Sequence, residues 1–272
     1  MEVFRRWRAR VGRASRTSAC VAGLAVWTAA SGCASARFVP PTAAPVARAD
    51  GRAVWAEATR ACAGAQAFAG DVRASGRVAG QRVSGLRLAM ALERPGRAAL
   101  EARVSSTLLF ALRGTEADAT LVLFQDRRVV NASAGDLMDA LIGVPLGPER
   151  LMAVLTGCVS FAEPEDAQGV GEFVRVRTQD ATVYVRAVSG GWRARAGAFD
   201  GLTVDYQYDG GDFPSRVRLT SDPGRSPAID LALTLASFDT NPRDPAVFLP
   251  RVPVGFDRGS LDWVRENGPL QR

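Results

Sequence analysis

The chain carries no histidine and no lysine; all 34 of its basic residues are arginine. That composition removes Ser-His-Asp and Cys-His nucleophile systems, lysine Schiff bases and histidine metal sites. Three groups remain with types and spacing that could do chemistry. Glu163, Glu165 and Asp166 cluster in "FAEPEDAQG". Two acids can hydrolyse a glycoside when they flank one bond, but a cluster between a helix and a strand reads as a solvated loop. "GVGEFV" at Gly169 begins like a phosphate-binding glycine loop, yet Val174 stands at its last position, and it reads as a loop joining a strand. Cysteine is the third group. No enzyme activity, cofactor or metal is expected from this inventory.

The four cysteines differ in setting. Cys33 follows Ala30-Ser31-Gly32 at the end of an apolar run, Ala19–Gly32, behind six arginines and one glutamate. A basic head and a short apolar core ending in small residues form a signal-peptide pattern. The run is shorter than the ~20 residues a spanning helix needs. The cysteine suits a lipoprotein site: its thiol takes a diacylglycerol and the chain is cut before it, leaving 1–32 as the signal. The alternative is an ordinary secretory signal cut near Ala36. Arg5-Arg6 lacks the flanking residues of a twin-arginine address. Cys20 lies within the signal. Cys62 and Cys158 remain, either as a disulfide closing a loop of about 96 residues or as two buried thiols; a bridge of that length stabilises by ~4–5 kcal/mol in the chain-entropy model.

Charge follows the same division. The chain is +6 overall, but residues 1–32 hold a net +5, which leaves the remainder at +1. The basic balance therefore belongs to the leader and argues for no nucleic-acid partner. Two or three acyl chains on Cys33 would hold firmly where one is marginal. Ala34, rather than aspartate, follows the cysteine; by analogy with lipoproteins generally, this points to the outer membrane, facing the periplasm.

Behind Cys33, residues 33–52 are rich in Pro and Ala without apolar period and read as a flexible tether. A helix is expected over 53–67 from Val54, Ala58, Ala61, Cys62 and Ala65, with Asp50 available as a cap and Phe68 closing it. From Gly70 the period becomes two. Six strands follow with short turns, through "RRVVNA". Two short helices come next. "SAGDLMDALIG" has Ser133 as cap with Asp136 three residues later. "GPERLMAVLTG" has Pro148 at its first position and Gly157 as its stop. Six more strands run from "EFVRVRTQ" to "AIDLALTLASF", then a Pro-rich stretch and a last helix in "GSLDWVREN". Trp192, Tyr206 and Tyr208 are the aromatic residues a glycan-binding cleft would use, and they read as packing on the sheet.

The fold class is mainly β (α+β), one domain over 53–272. Eleven or twelve antiparallel strands cannot stay flat and open. One face is apolar, and three helices are available to cover it. The expectation is an apolar cavity with an openable lid; the same residues could also close a plain barrel core.

The order helix, six strands, two helices, strands, behind a lipoprotein signal, resembles the LolA/LolB lipoprotein-carrier superfamily, and more specifically LolB-like outer-membrane lipoproteins. The segments that carry the resemblance are "SGRVAGQRVSGLRLAMALERPGRAALEA" (75–102), "LMDALIGVPLGPERLMAVLTGC" (137–158), and the closing "FDTNPRDPAVFLPRVPVGF" with "SLDWVRENGPL". It implies an incomplete, strongly curved antiparallel barrel with a helical lid over an apolar cavity. It also implies a monomer that takes acylated lipoproteins or other lipids from a periplasmic carrier and places them in the outer membrane. In that family a loop between the third and fourth strands presents an apolar residue to the membrane. The matching place is 103–110, with Leu108 at the tip and Val104 next; the stretch lacks the usual Pro-aromatic or Pro-Leu step, and Leu108 could instead begin the next strand. A lipid-anchored envelope scaffold or sensor of the same fold is the alternative.

Overall fold

The computed structural model describes residues 37–224 and 227–270. The signal, Cys20 and Cys33 lie outside the described residues. From Arg37 onward the chain forms one compact unit that holds its own core.

The elements in chain order are β1 (Val46–Ala47), α1 (Gly51–Gly64), β2 (Ala67–Val78), β3 (Gln81–Glu93), β4 (Arg97–Val104), β5 (Thr107–Thr115), β6 (Ala119–Leu123) and β7 (Arg128–Ala132). Then come α2 (Ala134–Ile142), α3 (Pro148–Thr156), β8 (Asp166–Val170), β9 (Phe173–Arg177), β10 (Thr182–Val188), β11 (Gly191–Phe199), β12 (Leu202–Gln207), β13 (Arg216–Ser221) and β14 (Ile229–Asp239). A 3-10 turn (Pro245–Phe248), β15 (Asp257–Arg258) and α4 (Leu261–Asn267) complete the chain.

All fifteen strands belong to one sheet, in the order β1-β8-β9-β10-β11-β12-β13-β14-β2-β3-β4-β5-β6-β7-β15. Among the described residues only β15 runs parallel to its neighbour; every other pair is antiparallel. Two meanders, β2–β7 and β8–β14, are joined where β14 pairs with β2. The sheet curls around its apolar face, because Phe68, Val72 and Ala74 of β2 and Leu86, Met90 and Leu92 of β3 all turn into one core. Alternate residues such as Arg73 and Arg87 stay exposed, as a one-sided antiparallel sheet requires. This is the mainly β, curled, incomplete barrel expected, with more strands than the eleven or twelve expected.

The extra strands have a physical reason. β8 lies in the acidic stretch read as a loop; Asp-Ala-Gln-Gly-Val has no apolar alternation, and it is a strand because β9 and β1 pair with it on either side. Accordingly "GVGEFV" forms a hairpin between two strands. β1 and β15 are two-residue pieces that no periodicity could reveal.

The helix over 53–67 is also corrected. It runs Gly51–Gly64, and Phe68 lies within β2, fully buried. Asp50 precedes the helix, but its carboxylate holds Arg48 instead of capping. The tether expected over 33–52 is tied down from Arg37 onward. The Arg37 guanidinium bonds Asp230 at 2.8 Å, the Phe38 N–H donates to Asp205, the Phe38 ring packs on Phe173 and Tyr184, and β1 joins the sheet. Pro and Ala composition does not register such long-range partners.

Candidate functional site

Topology determines what the central helices do. β7 and β8 lie near opposite edges of the open sheet, so the segment between them must cross the concave face. α2 and α3 make that crossing. Ser133 Oγ accepts from the Asp136 N–H and starts α2, while Pro148 starts α3 without losing a helix bond. Glycines in the left-handed region end both, Gly143 at φ 75 and Gly157 at φ 91.

The two helices are held differently. Seven of the nine residues of α3 are buried, Val154 and Leu155 completely. Its start is fixed by Arg150, which donates to the Val159 carbonyl and to Asp180 at 2.8 and 2.9 Å. Burial raises the Asp180 pKa, but bonds from Ser160, Arg150 and Thr178 outweigh it, and the group stays below its ordinary value. Just past its end, Cys158 is joined to Cys62 of α1 as a disulfide, with Cα atoms 5.8 Å apart. Trp55 of α1 donates its indole N–H to the Ala162 carbonyl. α3 is thus a fixed floor.

α2 rests on apolar contacts. Leu137, Ala140 and Leu141 are buried, while Met138 and Ile142 are half-buried. Its ties to other elements are few: the Ala134 N–H donates to the Glu116 carbonyl of the β5–β6 turn at 3.0 Å, Asp139 makes a surface ion pair with Arg265 of α4 at 3.3 Å, and Pro227 of the β13–β14 hairpin lies against Gly143. A Cβ at Gly143 would lie 2.0 Å from Pro227, so only glycine ends the helix there.

Between α2, α3 and the sheet lies a void of about 70 Å³. Ala74 and Val78 of β2, Val83, Leu86, Leu88 and Met90 of β3, Leu100 of β4 and Phe110 of β5 form one wall. Leu219 of β13 and Leu231 and Leu233 of β14 form another. Met138, Leu141 and Ile142 of α2, Leu146, and Leu151 of α3 cover it, and Leu270 enters from the C-terminal tail. Every lining residue is apolar. An acyl chain needs the hundreds of Å³ typical of ligand pockets. The hollow is therefore closed as it stands and admits an apolar guest only when its cover moves. Leu270 was missed in the sequence because Gly268-Pro269 ends the helix and gives the last residues the look of a loose tail.

A larger hollow, about 600 Å³, opens on the convex face between the closing segment and β2–β3. It is an open surface groove in which small residues alternate with Met90, Phe238 and Val247 and with the charged Asp71, Asp239 and Arg243.

The expected membrane loop has a different form. β4 and β5 are joined by Ser105 and Ser106 alone, with Ser105 at φ 54. Leu108 lies within β5 opposite Arg103 and is half-buried; Val104 ends β4 and is 38 % exposed. A two-residue turn leaves no protruding tip, and Leu108 is the second residue of β5. The other aromatic and acidic candidates gather into no cleft. Tyr206 is wholly buried, and burial pushes its pKa and that of Tyr208 well up. Trp192 lies under the Arg48 guanidinium, and Glu165 pairs with Arg177 on the surface. Among the described residues no group of His, Cys, Asp and Glu could hold a metal ion.

No family model and no curated protein matches the chain. Among solved structures, it is similar to a LolA superfamily protein from Nitrosomonas europaea at 9 % identity and TM-score 0.48, over 74 % of this chain and 97 % of that one. It is also similar to a putative outer membrane lipoprotein-sorting protein domain from Vibrio parahaemolyticus (13 %, TM-score 0.33, 76 % and 92 % covered) and to LprF from Mycobacterium bovis (9 %, TM-score 0.31, 73 % and 97 % covered). These similarities are too distant to carry a functional argument.

Proposed function

We propose that the protein is a lipid-anchored acceptor of the LolB kind, which binds acyl chains of lipoproteins in the hollow beneath α2 and assists their placement in the outer membrane. Cys33 is the anchor, residues 1–32 the removed signal, and the reading includes no catalytic step. The observation that carries it is a void lined only by apolar side chains and covered by a helix with few polar ties. Burying a fully apolar guest there costs no polar desolvation, since no lining group needs a partner. Each buried methylene contributes ~0.8 kcal/mol, so a long chain repays displacement of Met138, Leu141 and Ile142.

The test is uptake of an apolar fluorescent probe by residues 37–272, the compact unit. Saturable uptake with an emission blue-shift is expected; indifference to the probe would overturn the reading. The small resting void favours a second reading, an envelope scaffold whose hollow stays shut. Depleting the protein in its host separates the two: lipoproteins stranded in the inner membrane support the acceptor, and normal sorting supports the scaffold.

A further inference from the structure

The convex face carries a charge pattern that neither the core nor the hollow explains. Arg216 of β13, Thr234 of β14, Arg73 of β2, Arg87 of β3 and Arg103 of β4 are directly opposite one another in register, one row across five adjacent strands. The four arginines are exposed. A second row places Arg77 opposite Arg82, with Asp230 on the far side already bonded to Arg218 and Arg37. Among the described residues, Arg73, Arg77, Arg82, Arg87 and Arg216 form no ion pair; Arg103 reaches Glu101 at 3.2 Å. Adjacent strands lie ~4.8 Å apart, inside the ~8 Å Debye length of physiological salt, so these charges repel. Like charges directly opposite destabilise a sheet, and the fold offsets only part of this, through Glu101 on Arg103 and Asp230 opposite Arg77.

The Arg77–Arg82 row lies at the end of the sheet where β2 turns into β3 and β4 into β5, and the longer row crosses the middle of β2 and β3. Val104 stands at that end, but it is opposite Leu86 and belongs to the core face of the sheet, not to the arginine face. Val254, 97 % exposed, stands there too: its neighbour Gly255 accepts from Arg127 at the β6–β7 turn. Two rows of exposed guanidinium groups, most of them without an ion pair, are complementary to a plane of phosphates.

We propose that this convex face docks on an anionic lipid surface, with Arg216, Arg73, Arg87, Arg77 and Arg82 on headgroup phosphates. Docking this way holds the domain by its curved back. It requires neither the anchor nor an occupied hollow.

Residues 37–272, which lack Cys33, are tested by co-sedimentation with phosphatidylglycerol–phosphatidylcholine vesicles and with pure phosphatidylcholine vesicles. Binding to the anionic vesicles alone, reversed by high salt, is expected. The double variant Arg73→Gln/Arg87→Gln should weaken it about 25-fold, on about fivefold per arginine. Its melting temperature should be unchanged or higher, because repulsion within the row is relieved. Equal binding to neutral vesicles would assign the affinity to the hollow and overturn the proposal. Unchanged binding by the double variant, or no vesicle binding at all, would also overturn it, the latter leaving the row to an acidic protein partner.

Discussion

At the residue scale, two kinds of position carry the account. Leu231 lines the void from β14. Leu231→Trp puts an indole where an isobutyl group stood and fills the space from the wall. Overpacking of this kind costs ~1–3 kcal/mol, so the variant should fold, with probe affinity down about tenfold or more, ~1.4 kcal/mol; thermal melting and probe titration check both. Asp230 is the second kind. Bonds from the Arg218 guanidinium, then from Arg37, hold its carboxyl below its ordinary value of 3.8 despite partial burial. A lowered folded pKa means the stabilisation is present above the unfolded value and is lost as pH falls through the folded one. Asp230→Asn should therefore cost about 1 kcal/mol at neutral pH, in keeping with a partly exposed pair, and nothing once both forms are protonated. Asp205 has the opposite sign. Burial raises its pKa, with the Phe38 N–H as a partial offset, and Oδ1 has no partner. Asp205→Asn should raise the melting temperature at pH 7, and the gain should vanish toward low pH. Melting across a pH series tests both variants. Neither aspartate stood out in the sequence, because each is defined by partners 12 to 193 residues away.

At the scale of elements, the difference between α2 and α3 decides how the hollow can open. α3 is joined through Cys158 to α1 and through Arg150 to the loop after it; α2 is covered by α4 and rests on side-chain packing. Local opening follows the weaker set of ties, so α2, α4 and the Leu270 tail are the parts expected to move. The variant Cys62→Ser/Cys158→Ser should lose about 2–5 kcal/mol, since the bridge closes a span of 96 residues. That corresponds to a drop of roughly 5–15 °C in a domain of this size, read by calorimetry. In hydrogen exchange of the unaltered protein, amides of α2 should exchange well before those of α3; the reverse order would contradict this division. Much of this was legible. Ser133 with Asp136, Pro148 and Gly157 mark the two helices by local chemistry, and the structure uses each as read; Gly143, which ends α2, was not singled out. The floor-and-cover division was not legible, because it depends on where Asp180, Val159 and Pro227 lie in space.

At the scale of the whole molecule, the order of strands makes the site. β14 pairs with β2, so the chain's two meanders become one curled sheet whose edges are joined by the helix pair. Alternation in β2, β3, β13 and β14 made the one-sided sheet readable, and its length made curvature a necessity. The number of strands and the fate of residues 37–50 were not readable, since β1, β8 and β15 owe their form to pairing rather than to pattern. Nor was the size of the hollow, because summed side-chain volumes, not periodicity, set it. At about 70 Å³ the resting void is a closed form, and the central claim is that it opens for an acyl chain. The most direct test is native mass spectrometry of residues 37–272 purified from a bacterial host, with extraction and identification of any bound lipid. The account predicts a fraction of the protein carrying one lipid species or a narrow set of them, displaced by the apolar probe and absent from Leu231→Trp. Protein of bare polypeptide mass that stays bare after incubation with lipid would contradict it.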